Sequence, residues 1–363
     1  MGKKFIIAGG GTGGHIFPAI AIANALKQRI PDAEFLFVGA KGKMEMEKVP
    51  QAGFKIEGLD IAGFNRSSLI KNIGLPFKLI KSFFQVRRIL NTFRPDAVIG
   101  VGGYSSFPVL RSAQTKGIPT FIHESNAFAG KSNMLLGKKA TKIFVATSGM
   151  ERFFPAGKIA VTGNPVRKAI TEMKISKEDA LAFFGMEASK TTILSIGGSL
   201  GANSINQAVK AGLAKILDND LQLIWQTGKP FAEEAKIAVN SNENIWTNEF
   251  IKDMDKAYSA ADIVISRSGA MSVAELCVAG KPTVFVPYPF AAEDHQTFNA
   301  KVLVEDEAGR MIKDSDAAAL LVDTAITLAK SKNMQSTFAN NILKHAVRNA
   351  DEVVADEIIK SLS

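Results

Sequence analysis

The feature that most constrains this chain is a strand, glycine loop and helix unit that occurs twice. Residues 5–8 are apolar and run into Gly9-Gly10-Gly11-Thr12-Gly13-Gly14-His15, after which residues 16–28 carry apolar side chains at helical spacing. Lacking a Cβ, glycine lets a ligand approach the backbone closely, and the amides at a helix start attract anions. The second unit is the apolar run 192–196, the loop Gly197-Gly198-Ser199-Leu200-Gly201-Ala202, and an amphipathic segment over 204–217. Two such loops, each opening its own series of strands and helices, predict two Rossmann-like domains. At 363 residues the chain is long enough for two cores of ordinary size.

Strand candidates in the first series are residues 5–8, 34–38, 97–101, 120–123, 142–146 and 159–162. In the second they are 192–196, 221–226, 263–266, 283–286 and 310–312. Glycine or proline punctuates nearly every one, and helix-length segments lie between them, so the expected class is α/β with doubly wound parallel sheets. The join falls near Gly163-Asn164-Pro165-Val166-Arg167, which divides the chain into 1–164 and 165–341. Residues 333–362 read as a helical stretch that could lie against either domain.

Ligands of open α/β sheets bind outside the carboxyl ends of the strands. The unusual residues of this chain fall there, so they are expected to line a cleft between the two domains. Gly9, Gly11 and Gly14 formally match the dinucleotide fingerprint, which needs an acidic residue about 20 residues on, at the end of the next strand. Here that strand runs out into Gly39-Ala40-Lys41-Gly42-Lys43, so a nicotinamide or flavin is not expected. The second loop suits a nucleotide diphosphate, with Ser199 donating to a phosphate oxygen and the loop amides forming an anion nest; the alternative is a bare glycine turn.

Ser266-Arg267-Ser268-Gly269-Ala270-Met271-Ser272-Val273-Ala274-Glu275 follows a strand directly. Its Glu275 can accept two hydrogen bonds from a vicinal diol such as a ribose. The plain alternative is a carboxylate stabilised by the helix dipole, by roughly 0.3–1 kcal/mol. The polar cluster over 287–300 offers Gln296 and Asn299 to sugar hydroxyls. A third glycine turn, Gly102-Gly103-Tyr104-Ser105-Ser106-Phe107-Pro108, and the polar run His123-Glu124-Ser125-Asn126 also end strands. His15, His123, His295 and His345 show no ligand spacing, so no metal site is expected. Walker and CxxC patterns are missing. The single cysteine, Cys277, excludes an internal disulfide and sits in a setting that suits a packed core thiol.

The chain carries a formal charge of +9, and one stretch concentrates it. Residues 61–94 contain no acid, while Arg66, Lys71, Lys78, Lys81, Arg87, Arg88 and Arg94 are interleaved with aliphatic residues and phenylalanine. Such a segment can lie on an anionic bilayer, each cation near it contributing about 1 kcal/mol; the alternative is a surface helix with solvated lysines. It carries no nucleic-acid reading motif. No apolar run reaches the roughly 18 residues of a membrane span, and the N-terminus does not read as a signal peptide, so a soluble cytosolic chain is expected.

Taken together, the segments 9–18, 102–108, 123–126, 163–167, 197–202, 266–275 and 294–300 resemble, in order and over almost the whole chain, the MurG family. These are family-28 glycosyltransferases of peptidoglycan synthesis. The resemblance implies a GT-B fold, with a C-terminal helix at about 342–363 returning to the N-terminal domain. It implies transfer of N-acetylglucosamine from its UDP donor to the C4 hydroxyl of the muramoyl sugar of an undecaprenyl-pyrophosphoryl pentapeptide acceptor. Carried over by motif, Ser199 and its loop hold the diphosphate, the Ile251 backbone meets the uracil, Ala270, Met271, Ser272, Val273 and Ala274 cradle the nucleotide, Glu275 takes the ribose and Gln296 the sugar. Asn126 and Arg167 complete the donor site across the cleft, and Thr12, Gly13 and Gly14 approach the sugar and the acceptor pyrophosphate. The turn Gly102, Gly103, Tyr104, Ser105 is a candidate acceptor or phosphate loop. Leu200 and Ser125 stand where many relatives carry glutamine.

The chemistry needs a base for the acceptor hydroxyl and stabilisation of the departing diphosphate. His15 at a helix N-terminus, which favours neutral imidazole, is the proposed base; the alternative is an imidazole that orients the loop or binds the acceptor pyrophosphate. Loop amides, with Arg167 as a cation, are expected to offset the leaving-group charge without a metal or other cofactor. Attack opposite the leaving group would invert the anomeric centre. Expected partners are UDP-N-acetylglucosamine, the lipid-linked acceptor, proteins of wall synthesis, and an anionic membrane surface through 64–94, at the cytoplasmic face of the inner membrane; nucleic acid is not expected. The rival readings are another GT-B glycolipid transferase, a UDP-sugar epimerase, and a nucleotide-sugar binding protein without turnover.

Overall fold

The computed structural model of the chain describes residues 2–62, 75–198 and 200–362. It divides into two compact units, Met1–Val166 with Asn349–Ser363, and Arg167–Arg348. The division therefore falls two residues after the expected 164, and the returning tail begins at 349 rather than 342.

Among the described residues, the first unit holds β1 (Lys4–Ala8), β2 (Glu34–Ala40), β3 (Lys55–Leu59), β4 (Ala97–Gly100), β5 (Thr120–Glu124), β6 (Lys142–Val145) and β7 (Ile159–Val161). They form one parallel sheet in the order β3-β2-β1-β4-β5-β6-β7. Phe5 of β1 stands between Phe35 of β2 and Ala97 of β4. The order reverses beside β1, the switch point at which α/β sheets bind ligands. Central strands such as β4 and β5 are buried along their whole length, because helices cover both faces of a parallel sheet, and so they read as continuous apolar runs.

The second unit repeats the design with β8 (Thr191–Ile196), β9 (Leu221–Gln226), β10 (Ile245–Asn248), β11 (Ile263–Ser266), β12 (Thr283–Phe285) and β13 (Arg310–Met311), ordered β10-β9-β8-β11-β12-β13 and again parallel. The strands β3 and β10 were not expected from sequence. Both lie at sheet edges, and the alternation in Lys55-Ile56-Glu57-Gly58-Leu59 lacks the apolar run of a central strand.

The tail is two helices, Lys332–Leu343 and Ala350–Ser361, rather than one stretch. In the second, Val354, Ala355 and Ile358 share one face, are fully buried, and join the core of the first unit with Phe5, Ile22 and Leu26. Burying a side chain of the size of Val354 or Ile358 contributes about 1.5–3 kcal/mol. Arg29 of the helix Gly13–Arg29 adds a rim contact, its Nε 2.7 Å from Asp356 and its Nη2 3.3 Å from Glu352.

Candidate active site

In the first unit the chain leaves β1 at Ala8 and passes through Gly10 (φ +152°) and Gly11 (φ +89°) into the helix Gly13–Arg29, with Thr12 as its extended cap. His15 sits in the first turn, its amide 3.1 Å from the Thr12 carbonyl. The ring Nδ1 lies 3.0 Å from the Gly10 carbonyl oxygen and 3.5 Å from Thr12 Oγ1. A carbonyl only accepts, so Nδ1 carries the proton and the lone pair of the neutral ring is on Nε2.

The third glycine turn packs directly on the first. A Cβ on Gly102 (φ +98°) would stand 2.8 Å from His15 Nε2, and one on Gly103 (φ +82°) would stand 2.4 Å from the Gly10 oxygen. Two motifs read separately in the sequence therefore build one surface. Tyr104 follows, with its ring edge 3.6 Å from where a Cβ on Gly11 would be. Burial pushes its phenol pKa up and the nearby Glu45 charge adds to this. Tyr104 Oη is buried without a hydrogen-bond partner among the described residues. Ser105 is buried at the start of the helix Ser106–Thr115.

Sequence reading missed Glu45. It opens the helix Glu45–Gln51 in a run of charged residues, and nothing local separates it from the exposed Glu47. Only the fold reveals that it is 1% exposed, with Oε2 accepting the Gly11 N–H at 2.9 Å and Oε1 accepting the Ala40 N–H at 2.9 Å. The Gly11 amide, expected to face an anion, is thus already occupied.

The run His123-Glu124-Ser125-Asn126 ends β5 and serves mainly to order its own loop. Fully buried His123 donates from Nε2 to the Gly163 oxygen at 3.2 Å, and its Nδ1 lies 3.3 Å from Ser125 Oγ. Burial lowers its pKa to about 4, so the ring is neutral. Glu124 takes the Asn126 backbone and side-chain N–H groups on Oε1, at 3.1 and 3.2 Å, and Gly130 N–H and Asn133 Nδ2 on Oε2. Asn126, expected at the donor, is here oriented by Glu124.

In the second unit Ser199 lies outside the described residues. Around it, Gly198 (φ +84°) and Gly201 (φ +75°) make a tight turn, and a Cβ on Gly201 would stand 2.0 Å from the Thr227 oxygen. Gln226 Nε2 ties the turn down by donating to the Gly198 oxygen at 2.8 Å. Leu200 at its tip is 78% exposed.

Gly269 caps the helix Ala270–Ala279, whose first residues Ala270, Met271, Ser272, Val273 and Ala274 are half-buried around an N-terminus that favours anions. Gln296 is brought beside that turn: its Oε1 accepts the Tyr288 N–H at 3.0 Å and its carbonyl accepts Ser268 Oγ at 2.8 Å. Asn299, expected on a sugar, is buried and donates to the Ser268 oxygen at 3.1 Å. Ile251 lies in the connection after β10 and is buried, 4% exposed. Arg267, also missed, is buried and holds the Val286 and Pro287 carbonyls and Asp314. A guanidinium directly after an apolar strand was the available signal.

Glu275 is 7% exposed. Its Oε1 accepts Arg167 Nε at 2.8 Å, and its Oε2 accepts Arg167 Nη2 at 2.9 Å and the Tyr258 hydroxyl at 3.2 Å. Burial pushes the Tyr258 phenol well up, so it stays a donor. Arg167, expected as a cation for the diphosphate, is the first residue of the second unit and pairs with Glu275. Cys277 is buried with its thiol pushed up to about 12, an inert core residue. Among the described residues no three His, Cys, Asp or Glu side chains are grouped to hold a metal ion.

Of the basic segment, residues 63–74, including Arg66 and Lys71, lie outside the described residues. The helix Leu75–Phe93 buries Ser82, Val86, Ile89 and Leu90, while Phe77 and Phe84 are 76% and 71% exposed and Ile80 is exposed as well. No helix among the described residues is long and apolar enough to cross a membrane.

Residues 5–145 match the glycosyltransferase family 28 N-terminal domain, and 192–354 match the family's C-terminal domain. A relative from Parabacteroides distasonis, 50% identical over 359 residues and covering 98% of both chains, is named a UDP-N-acetylglucosamine–N-acetylmuramyl-(pentapeptide) pyrophosphoryl-undecaprenol N-acetylglucosamine transferase. The crystal structure of Acinetobacter baumannii MurG is similar with a TM-score of 0.80 and 32% identity, over 99% of both chains. A Neisseria meningitidis UDP-GlcNAc 2-epimerase bound to UDP-GlcNAc has a TM-score of 0.70 at 14% identity, covering 99% of this chain and 100% of that one. That last likeness concerns the fold alone.

Proposed function

We propose a mechanism on this premise: the chain belongs to glycosyltransferase family 28 and moves N-acetylglucosamine from UDP-N-acetylglucosamine to undecaprenyl-pyrophosphoryl-N-acetylmuramoyl-pentapeptide. His15 is the base. Its Nε2 takes the proton of the acceptor C4 hydroxyl as the oxygen bonds to the anomeric carbon, and the carbon–oxygen bond to the diphosphate breaks with its electron pair leaving on UDP. Attack opposite the leaving group converts the α-linked donor to a β-linked product. The observation that carries this reading is the 3.0 Å contact of His15 Nδ1 with the Gly10 oxygen, which puts the ring's lone pair on Nε2.

Donor recognition belongs to the second unit. Glu275 takes the ribose hydroxyls, Gln296 the sugar, Ile251 the uracil through its backbone, and Ser199 with the amides of its loop and the Ala270–Ala279 helix start the diphosphate. Those amides, rather than a divalent cation, offset the charge on the leaving group. Thr12, Gly13, Gly14 and the turn Gly102, Gly103, Tyr104, Ser105 serve the acceptor, and Asn126 supports the same unit. The acceptor's polyprenyl tail stays in the bilayer, so the helix Leu75–Phe93 docks there peripherally, on the cytoplasmic face, through its exposed Phe77, Ile80 and Phe84 and its cations.

The test is transfer of labelled N-acetylglucosamine from UDP to a lipid acceptor analogue with chelator present, for wild type and His15→Ala. Wild-type product in the chelator, with the variant slowed on the order of a hundredfold or more, is the expected result. Equal rates would remove His15 from the chemistry; product with a retained anomeric centre would overturn the displacement; activity lost to chelator would return a metal to the site.

A further inference from the structure

Glu45 has no place in the mechanism above, yet it is among the most deeply buried charges of the first unit. Its surroundings are shaped around it. A Cβ on Gly10 would stand 2.2 Å from Glu45 Oε1, and one on Gly39 would stand 2.5 Å from its Cγ. Gly10, which the sequence offered as room for a ligand, and Gly39 are therefore room for this carboxylate. A buried ionised carboxylate is costly unless its oxygens are met by donors. Here both are met by backbone amides, Gly11 N–H and Ala40 N–H, each at 2.9 Å.

The Gly11 N–H and the Gly10 carbonyl belong to one peptide group. In a trans peptide the two point in opposite directions, and no cis bond occurs among the described residues. The N–H of that peptide is held by Glu45 and its carbonyl oxygen holds His15 Nδ1 at 3.0 Å. Carboxylate, peptide and imidazole form one hydrogen-bonded line. Hydrogen bonds in series polarise one another, so a negative charge at one end makes the Gly10 oxygen a stronger acceptor at the other.

We propose that Glu45 is a positioning residue of the transfer, acting on His15 through the Gly10–Gly11 peptide. The inference rests on the reading of His15 as the base. Glu45 fixes the peptide plane, which keeps the proton on Nδ1 and the lone pair on Nε2. When Nε2 takes the acceptor proton, the ring becomes an imidazolium with Nδ1–H still on the Gly10 oxygen, and the Glu45 charge stabilises it without itself gaining a proton. The other titratable groups bearing on this line are Tyr104, whose phenol the Glu45 charge helps to raise, and His123, which the His15 charge helps to lower after the larger effect of burial.

The experiment compares Glu45→Gln, Glu45→Asp, His15→Ala and the Glu45→Gln/His15→Ala pair, on the full chain, with UDP binding confirming the fold of each. Glutamine can accept only one of the two amides and carries no charge. Expected for Glu45→Gln is a kcat lower on the order of tenfold, as for residues that orient a functional imidazole. The KM for UDP-N-acetylglucosamine stays unchanged, and the acid limb of the kcat profile moves to lower pH because the imidazolium loses its counter-charge. Glu45→Asp keeps the charge and holds the acid limb near the wild-type position. In a His15→Ala background Glu45→Gln costs nothing further. The ¹⁵N shifts of His15 report the link without turnover: protonated Nδ1 and bare Nε2 in wild type at neutral pH, and a mixture of tautomers in Glu45→Gln. An unmoved acid limb, an equal loss in both backgrounds, or unchanged ¹⁵N shifts would overturn the proposal. His15→Ala at wild-type rate would instead sink the base reading, a separate result on a separate variant.

Discussion

Arg167 grips Glu275 through two parallel hydrogen bonds, Nε to Oε1 at 2.8 Å and Nη2 to Oε2 at 2.9 Å. The fork geometry leaves Oε1 with acceptor capacity, since each carboxylate oxygen can accept more than one donor. In the proposed donor site a ribose hydroxyl would bind Oε1 without displacing the guanidinium, with Arg167 holding the carboxylate in place.

Lysine cannot reproduce a bidentate fork. Arg167→Lys is expected to raise the KM for UDP-N-acetylglucosamine on the order of tenfold, at about 1.4 kcal/mol, while kcat stays within about twofold. Steady-state kinetics with varied donor checks it. A KM that does not move would leave the pair with a packing role alone.

His123 links pH to stability. Folded, it stays neutral down to about pH 4, because burial penalises the charged ring; unfolded, it takes a proton near pH 6.5. Between those values the unfolded chain binds more protons, so the contribution of His123 to stability falls as pH falls, by about 1 kcal/mol per unit, and levels off below the lower value. Above about pH 6.5 the effect vanishes. Urea midpoints at pH 7 and pH 5, for wild type and His123→Gln, measure it. Parallel pH dependence in the two proteins would mean that another group dominates.

The helix Leu75–Phe93 presents Phe77, Ile80, Phe84 and its cations together. Lys81 is partly engaged, 3.0 Å from Asp60, whose carboxyl is drawn down to about 2 by hydrogen bonds from Lys41 and Lys81. A single charge change is therefore a weak test. Replacing Lys78, Lys81, Arg87 and Arg88 by glutamate removes about 1 kcal/mol of attraction per site and adds repulsion. Binding to anionic vesicles should be abolished while UDP binding is retained. Phe77→Ser/Phe84→Ser should weaken the residual binding seen at high salt, where only apolar contact survives screening. Sedimentation with vesicles that matches wild type in the charge variant would end the docking reading.

The amino-acid sequence by itself determined the two-unit α/β design, the places of the central strands along the chain, and the identity of His15, Glu275 and Gln296 as candidates. These are local properties. A central parallel strand is buried on both faces and must be apolar throughout, and a turn such as Gly102-Gly103 at φ +98° and +82° strongly favours glycine. Edge strands β3 and β10 escaped because an edge needs only one apolar face. What only the tertiary structure decided is which group each polar atom meets. Glu45 looks like its exposed neighbour Glu47 until the packing of its helix against β2 and β3 aims it at Gly11, and Arg167 looks like a spare cation until the second unit closes it on Glu275. Hydrogen-bond partners far apart in the chain leave no period or spacing behind, because the contact is set by three-dimensional packing and not by the residues that flank either partner.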